Sequence, residues 1–173
     1  ESKSIIVPAK NEEGNLKELI NRIPYFGDNQ EIIIICGQSK DDTLGAANKL
    51  AAENKKLNIS VLTQSGKGKA NAVHEAIEFS NGELIAILDS DISVDPETLV
   101  DFFKIIEDGY CDFVNGTRLI YGKEKNAIGG NTERTGRAKK YTALVHHWKI
   151  MSVPKYRKIS LIACGQEHYV MAS

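Results

Sequence analysis

The 173-residue sequence lacks the features that mark several specialised protein classes. Its three cysteines, Cys36, Cys111 and Cys164, are widely spaced, with no Cys-x-x-Cys or Cys/His ligand pattern, so we expect neither a disulfide scaffold nor a zinc site. No apolar run approaches the ~20 residues that a membrane-spanning helix needs, and no signal peptide is recognisable. These absences predict a cytoplasmic protein in a reducing compartment.

The net charge of −1 gives no general reason to expect nucleic acid as a partner. The charges are unevenly distributed, however. Residues 1–130 carry 14 Lys or Arg and 21 Asp or Glu, whereas residues 131–158 carry 8 Lys or Arg and one acid. The segment 134–158 could meet an anionic lipid at the cytoplasmic membrane face or a phosphorylated acceptor. A solvated basic surface is an equally good interpretation. The residues proposed for the interfacial face are Lys139, Lys140, Trp148, Lys149, Lys155 and Arg157.

Short apolar strands and amphipathic helices alternate through the first two thirds of the chain. Strands are predicted over 4–7, 31–36, 58–62, 83–88 and 111–116, with Pro8 stopping the first. A helix after Gly68 should bury Phe79 among its inward residues, and a later helix is predicted over 139–153. The alternation predicts an α/β fold with a mostly parallel sheet and helices on both faces. Ligands bind such sheets at the carboxyl ends of the strands.

The most informative motif is Asp89-Ser90-Asp91, which directly follows the predicted strand over 83–88. Where the backbone turns at a strand end, both carboxylates can converge on one cation. Hard oxygen ligands suit Mg²⁺ or Mn²⁺, which commonly bind one or two carboxylates together with substrate phosphates. The alternative is a solvated turn in which one of the aspartates caps the structure that follows.

Five segments in one order then resemble a known family. They are Val7-Pro8-Ala9-Lys10-Asn11-Glu12-Glu13, Ser39-Lys40-Asp41-Asp42-Thr43, Gly66-Lys67-Gly68-Lys69, Leu88-Asp89-Ser90-Asp91 and Asn115-Gly116-Thr117-Arg118. Together they resemble the motifs of family 2 glycosyltransferases with the GT-A (Rossmann-like) fold. The last segment is similar to that of polyprenyl-phosphate members such as dolichol-phosphate mannose synthases. The likeness covers roughly residues 2–125.

The resemblance implies roles for individual residues. Pro8, Ala9 and Glu12 would hold the base and ribose of a UDP- or GDP-linked sugar, and the residue at Cys36 would help to read the base. Further substrate contacts would come from Lys67, Lys69, Asp89 and Arg118, while Asp89 and Asp91 would bind the metal.

Simpler structural roles remain open for several of these residues. Glu12 and Glu13 could complement a helix N-terminus, and Asp41 could cap the next helix. Lys67 and Lys69 could simply be solvated.

Two positions depart from the family pattern. Cys36 stands where relatives usually carry Asp or Glu, and a thiol cannot replace a carboxylate that accepts hydrogen bonds. Leu161 stands where an acid near the acceptor is expected, with Glu167 the nearest carboxylate. No residue is therefore assigned as the catalytic base.

The sequence predicts a metal-dependent, inverting glycosyltransferase with a nucleotide-sugar donor and a polyprenyl phosphate as a candidate acceptor. The alternative is a catalytically impaired nucleotide-sugar-binding domain, motivated by Cys36 and Leu161. A sugar-1-phosphate nucleotidyltransferase is disfavoured, because no Gly-rich basic loop follows the first strand. We expect residues 1–125 to form the nucleotide-sugar-binding core. We expect 126–173 to form an acceptor-side or membrane-interface segment of the same domain, either whole or truncated.

Overall fold

The computed structural model of the protein describes residues 1–110, 113–116, 141–143 and 160–164. These residues form a sheet of seven strands in the order β3-β2-β1-β4-β7-β5-β6. Neighbouring strands are parallel except for β5 and β6, which pair antiparallel. The strands are β1 (Lys3–Ala9), β2 (Gln30–Cys36), β3 (Ile59–Thr63), β4 (Leu84–Leu88), β5 (Phe113–Gly116), β6 (Tyr141–Ala143) and β7 (Ser160–Cys164).

Helices follow each of the first four strands, as the alternating pattern predicts. They are α1 (Leu16–Arg22), α2 (Thr43–Glu53), α3 (Lys69–Phe79) and α4 (Leu99–Glu107), with 3₁₀ turns at Lys55–Leu57 and Pro96–Thr98. Their apolar side chains recur at three- and four-residue spacing, so each helix buries one stripe against the sheet. In α4, for example, the buried residues are Leu99, Phe102, Phe103 and Ile106.

The helices cover both faces of the sheet, which confirms the predicted fold class. Alternate residues of a strand point to opposite faces. On one face Ile5, Ile32 and Leu84 pack in the same apolar cluster as residues of α1, α2 and α4. On the other face Ile6 and Ile33 pack with α3. Because both faces are buried, the strands read as continuous apolar runs rather than as alternating ones.

Pro8 does not end β1, contrary to the expectation from sequence. The strand continues to Ala9, and Pro8 pairs with Ile35 of β2. Proline lacks the N–H that a sheet ladder uses. The pairing of β1 with β4 ends at Ile6, and the carbonyl of Pro8 accepts instead from the Ser90 hydroxyl at 3.0 Å. The N–H that Pro8 lacks would lie beyond the end of the β1–β4 ladder. Its absence therefore breaks no hydrogen bond between these two strands.

Two other expectations fail. Phe79 is 46% exposed at the last turn of α3, because the buried stripe of that helix ends at Ile77. Residues 141–143 form strand β6 and not part of a helix, and the remainder of the predicted helix over 139–153 lies outside the described residues. Local periodicity misjudged this segment because pairing with β5 overrides it.

Strand β7 has no counterpart in the sequence prediction. It lies between β4 and β5, and its register pairs Leu161 with Ile85 and with Phe113. Both β6 and β7 belong to the segment 126–173 and join the same sheet as the first 125 residues. The division of the chain at residue 125 stays a prediction.

The amino ends of the strands are closed by side-chain pairs. The Lys3 ammonium lies 2.5 Å from Glu107 Oε1 and 5.4 Å from the ring centroid of Phe103. The Ser4 hydroxyl donates to Glu31 at 2.5 Å and accepts the Gly82 N–H at 2.8 Å. These bonds join β1 to α4, to β2 and to the start of β4, so this edge is firmly packed.

Within the described ranges, none of the helices has the length and apolar content that crossing a lipid bilayer requires.

Candidate functional site

The carboxyl ends of the strands carry four loops whose polar residues lie at one edge of the sheet. Register aligns Ala9 with Cys36 and Cys36 with Thr63, so β1, β2 and β3 end at the same level. We call the following segments loop 1 (10–15), loop 2 (37–42), loop 3 (64–68) and loop 4 (89–95). All four follow parallel strands, which is where α/β proteins bind ligands.

Asn11 begins the contact between loop 1 and loop 2. Its backbone N–H donates to Ser39 Oγ at 3.1 Å, and its Oδ1 accepts the Lys40 N–H at 2.7 Å. Its φ of 56° lies in the left-handed region, which asparagine tolerates better than most residues. Asn11 therefore bonds to loop 2 through both its backbone and its side chain, and the side chain satisfies the backbone N–H of Lys40.

Three further hydrogen bonds complete the contact between these loops. The Glu12 N–H donates to Thr43 Oγ1 at 3.0 Å, and the Glu13 N–H donates to Asp41 Oδ2 at 3.2 Å. In return the Asp42 N–H donates to Glu13 Oε2 at 3.1 Å. Because donors run in both directions, loops 1 and 2 hold each other in place.

The N-cap of α2 is Asp42, not Asp41. Asp42 Oδ1 accepts the Gly45 N–H at 3.1 Å, which satisfies one of the free donors of the first helical turn. Asp41 instead accepts the Thr43 hydroxyl at 2.5 Å and the Thr43 N–H at 3.3 Å. The Thr43 hydroxyl is the largest cause that lowers the pKa of Asp41 below its ordinary value of 3.8.

Glu12 takes part in starting α1. Its carbonyl accepts the N–H groups of Asn15 and Leu16, and its carboxylate accepts from the Asn15 amide at 2.6 Å. This is the structural role left open for it in the sequence. Its side chain is only partly buried at the mouth of loop 1, so contact with a substrate stays a prediction.

Loop 3 is held by side chains of α3. The Gln64 Nε2 donates to the Gly68 carbonyl at 2.7 Å and to Asn71 Oδ1 at 2.9 Å. Glu75 accepts from the Ser65 hydroxyl at 2.7 Å and from the Ser65 N–H at 3.0 Å. Gly68, with φ of 86°, makes the left-handed turn into the helix.

Loop 4 presents the two aspartates in different surroundings. The side chain of Asp89 is only 13% exposed, and its Oδ1 lies 2.6 Å from the Lys69 ammonium. Ser90 is buried and anchors the turn on the Pro8 carbonyl. Asp91 is exposed, and its Oδ1 accepts the Ser93 N–H at 2.9 Å. The family resemblance implies that Lys69 contacts substrate, whereas its ion pair with Asp89 has no signal in the sequence.

The two carboxylates that follow β4 fit a divalent cation whose remaining ligands come from a substrate. Carboxylate oxygens are the donors that Mg²⁺ and Mn²⁺ prefer. In the part of the chain that the structure describes, no group of three or more His, Cys, Asp or Glu could hold a metal. Asp89 and Asp91 therefore suit an ion completed by phosphate oxygens and water better than a closed protein site.

A cleft of about 610 Å³ opens between the ends of β2 and β3. That volume is within the usual range for a small-molecule site. Its lining consists of Cys36, Gly37, Gln38, Ser39, Asp41, Leu44, Thr63, Gln64, Ser65, Gly66 and Lys67. The last of these precedes Lys69 by two residues, and Lys69 contacts Asp89, so loop 3 connects the cleft to the end of β4.

Cys36 belongs to the lining of this cleft but is almost wholly buried. Its side chain is 2% exposed and packs in the apolar cluster that contains Ala9 and Leu88. Burial raises the pKa of its thiol to about 11, so the neutral thiol dominates at neutral pH. Its predicted role in reading a base stays a prediction, and its surroundings are those of a small buried apolar residue.

The structure brings most of the predicted site residues to one edge. Those at the carboxyl ends of β1 to β4 and in the following loops are Pro8, Ala9, Glu12, Cys36, Lys67, Lys69, Asp89 and Asp91. Arg118 and nearly all of the basic segment 134–158 lie outside the described residues.

The register of β7 changes the interpretation of Leu161. This residue pairs with Ile85, in the interior of β4, whereas the end of β4 at Leu88 pairs with Cys164. Position 161 is therefore three residues short of the edge that carries Asp89. The absence of an acid at position 161 therefore does not mean that an acid is absent from the edge that carries Asp89.

Comparisons with known proteins agree with this architecture. The profile described as Glycosyl transferase family 2 matches residues 4–161. A dolichol-phosphate mannosyltransferase from Pyrococcus furiosus is 30% identical over 122 residues, which are 69% of this chain and 34% of that protein. The chain spans about a third of the length of such curated relatives.

Solved structures show the same fold. TarS 1-349 of S. aureus, in complex with UDP-GlcNAc, has a TM-score of 0.55 and 26% identity over 73% of this chain and 37% of its own. The mannosyltransferase PcManGT from Pyrobaculum calidifontis, in complex with GDP-Man and Mn²⁺, has a TM-score of 0.59 and 24% identity over 66% of this chain and 34% of its own.

The family profile spans most of the chain, and the solved structures of TarS and PcManGT share its fold. The chain belongs to glycosyl transferase family 2.

Proposed function

We propose that this chain forms the donor-binding part of an enzyme that transfers a sugar from a UDP- or GDP-linked donor to an acceptor. The observation that carries the proposal is the shared edge. A cleft of nucleoside size and two carboxylates at the end of β4 are joined by loop 3 and the Lys69–Asp89 contact. A nucleotide needs both parts, because its base requires a cleft while its diphosphate requires positive charge.

The metal in this proposal is Mg²⁺ or Mn²⁺, held by Asp89 and Asp91. Such an ion would neutralise charge on the departing nucleoside diphosphate. The donor atoms of the two carboxylates support this assignment. The Mn²⁺ complex of PcManGT is a property of that protein, whose likeness to this chain establishes the fold.

The chain's own residues would position the donor. Loops 1 and 2, fixed by their mutual hydrogen bonds, form a rigid wall beside the cleft. Lys67 is exposed at the cleft, and Lys69 lies beside Asp89, so both ammonium groups stand on the route that a diphosphate would follow. A positioned donor requires less reordering when the acceptor attacks.

Transfer would proceed by direct displacement at the anomeric carbon, with inversion. A phosphate acceptor is already ionised and needs little help from a base. This suits a chain in which no catalytic base is assigned. Similarity to a dolichol-phosphate mannosyltransferase supports a polyprenyl phosphate as the acceptor.

The basic segment 134–158 would meet such an acceptor at the cytoplasmic face of the membrane. Flotation with neutral and with anionic vesicles tests this contact. Equal binding to both kinds of vesicle would contradict it.

Calorimetric titration of UDP and of GDP, each with and without Mn²⁺, tests the donor site. We expect one nucleotide to bind with metal. Asp91→Ala should weaken metal-dependent binding by about 100-fold or more, since even indirect partners of a metal ligand contribute 10- to 100-fold. Asp95→Ala is the matched control, because Asp95 is an exposed acid of the same loop that pairs with Arg22.

Equal losses in the two variants, or no nucleotide binding by the wild-type chain, would contradict the donor site. A second assay separates an enzyme from a binding domain. Metal-dependent binding without sugar transfer to polyprenyl phosphate, in a protein of the relatives' full length, would favour the catalytically impaired alternative.

A further inference from the structure

Gln64 lines the cleft, and three hydrogen bonds fix its orientation. Its backbone N–H donates to the Cys36 carbonyl at 2.9 Å, which fixes the start of loop 3 against the end of β2. Its side-chain Nε2 donates to the Gly68 carbonyl at 2.7 Å and to Asn71 Oδ1 at 2.9 Å. The Gly68 carbonyl can only accept, so the nitrogen of the amide must face it.

Glu75 fixes the same orientation from the other side. Its carboxylate accepts from the Ser65 hydroxyl, from the Ser65 and Gly66 N–H groups, and from the side chain of Asn71. A carboxylate that accepts from Asn71 must face the Asn71 NH₂, because that group is the only donor of the side chain. Asn71 Oδ1 then faces Gln64, which in turn must offer its own NH₂.

The remaining polar atom of Gln64 is its Oε1, and this atom is directed towards the floor of the cleft. It lies 3.0 Å from the position that a Cβ on Gly37 would occupy, and both residues line the cleft. Within the described part of the chain, this oxygen receives no hydrogen bond. Gly37 leaves the space in front of it open, since a side chain there would crowd it.

We infer that Gln64 reads the base of the bound nucleotide by accepting a hydrogen bond from a ring N–H, an inference that rests on the function proposed above. Uracil and guanine carry such an N–H beside a carbonyl, whereas adenine and cytosine have an unprotonated nitrogen at the corresponding place. An acceptor at this point selects the first pair, because the second pair would bring two acceptors together.

This assignment also accounts for the departure at Cys36. The Cys36 thiol is almost wholly buried in the lining and offers no acceptor of comparable strength. Gln64 reaches the same end of β2 from β3 and supplies a carbonyl oxygen there. An amide oxygen in that place carries no charge, so base reading by Gln64 needs no buried carboxylate.

The test compares a nucleotide with its ring-N-methylated form by calorimetry with Mn²⁺, using UDP and 3-methyl-UDP or GDP and 1-methyl-GDP. On the wild-type chain, methylation should weaken binding by about 3- to 10-fold, which corresponds to one net hydrogen bond. Gln64→Leu should weaken binding of the unmodified nucleotide by a similar factor and should no longer distinguish the two forms.

Asn21→Leu is the matched control, because Asn21 is an exposed amide on α1 that does not line the cleft. It should keep the wild-type preference. Inorganic pyrophosphate with Mn²⁺ provides a second readout. Gln64→Leu should bind it as the wild type does, because Glu75 still accepts from Ser65 and Gly66 and keeps loop 3 in place.

The outcomes separate the two proposals. Wild-type binding that is unaffected by methylation would overturn the role of Gln64 and leave the donor site intact. Loss of pyrophosphate binding in Gln64→Leu would also overturn it, because the residue would then act by supporting the loop. Failure of the wild-type chain to bind either UDP or GDP would overturn both proposals.

Discussion

The two edges of the sheet use polar side chains in opposite ways. At the amino ends, side chains of β1 pair with neighbouring elements of the fold, as Lys3 does with Glu107 of α4 and Ser4 with Glu31 of β2. At the carboxyl ends, loops bond mainly to the neighbouring loop and leave a cleft of about 610 Å³ between β2 and β3. One edge closes the fold, and the other shapes a surface that a ligand can fill.

This difference separates stability from binding within one small sheet. A hydrogen bond at the amino edge fixes elements that must be together in any folded state. A hydrogen bond between loops 1 and 2 fixes the position of groups that face the cleft, such as Asp41. Damage at the first edge should therefore change the free energy of unfolding, whereas damage at the second should also change affinity for a nucleotide.

The largest effect is expected from Phe103→Ala beside the amino edge. Phe103 is 1% exposed and packs edge-on against Phe26, with ring centroids 4.9 Å apart. We expect a loss of about 3–5 kcal/mol in the free energy of unfolding, from lost burial and the cavity left behind. Urea denaturation measures this loss. Nucleotide affinity of the folded fraction should stay at the wild-type value.

Val100→Ala is the control for that experiment, because Val100 lies on the same helix but is 48% exposed. It should change stability by less than about 0.5 kcal/mol. If Phe103→Ala does not fold, Phe103→Leu should show a smaller loss with unchanged affinity. A large fall in affinity for Phe103→Leu would mean that the two edges are coupled.

A smaller effect is expected from Thr43→Val at the carboxyl edge. The buried Thr43 hydroxyl joins loop 1 to loop 2 by accepting the Glu12 N–H and donating to Asp41. Its removal should lower stability by about 1–2 kcal/mol, because a partly buried N–H loses its partner. Affinity for the nucleotide should fall as well. Unchanged affinity, measured by calorimetry, would show that the loops need not be fixed to bind.

Ser39→Ala provides the comparison for Thr43→Val. Ser39 accepts the Asn11 N–H in the same interface, but this contact is exposed and water can replace it. We expect a smaller loss in both stability and affinity.

The smallest expected effect is on the stability of the protein at acidic pH. The Thr43 hydroxyl is the main cause that lowers the pKa of Asp41 from its ordinary 3.8. The folded protein therefore holds this proton less tightly than the unfolded chain does. The resulting stability is present above about pH 4 and is lost as the pH falls through the lower folded-state pKa. Asp41→Asn should flatten the decline in unfolding midpoint below pH 4, and an unchanged decline would contradict this origin.

Sequence patterns captured the parts of the fold that depend on near neighbours. The continuous apolar runs predicted β2 and β4, and the helical spacing predicted the buried stripe of α4, because burial on one or both faces leaves a local signature. The strand-end position of Asp89 and Asp91 likewise followed from local order along the chain.

Other features depend on contacts that no local pattern contains. Strand β7 is placed between β4 and β5 by pairing across more than 40 residues, and β6 forms where helical spacing suggested otherwise. The contact of Lys69 with Asp89 depends on how α3 sits over the sheet. A signal for loop 3 was available, since Asn71 and Glu75 are one helical turn apart and follow a glutamine at the strand end.

The place of β7 has a consequence for how the protein is made. Residues 3–88 already contain β3, β2, β1 and β4 in their final neighbourhood, but the outer side of β4 pairs, among the strands that the structure describes, with residues 160–164. At a synthesis rate of about 5–20 residues per second, the ribosome needs about 4–15 s to add the intervening chain. Throughout that interval the nascent protein carries an uncovered apolar strand, which is the form most open to wrong pairing with another chain.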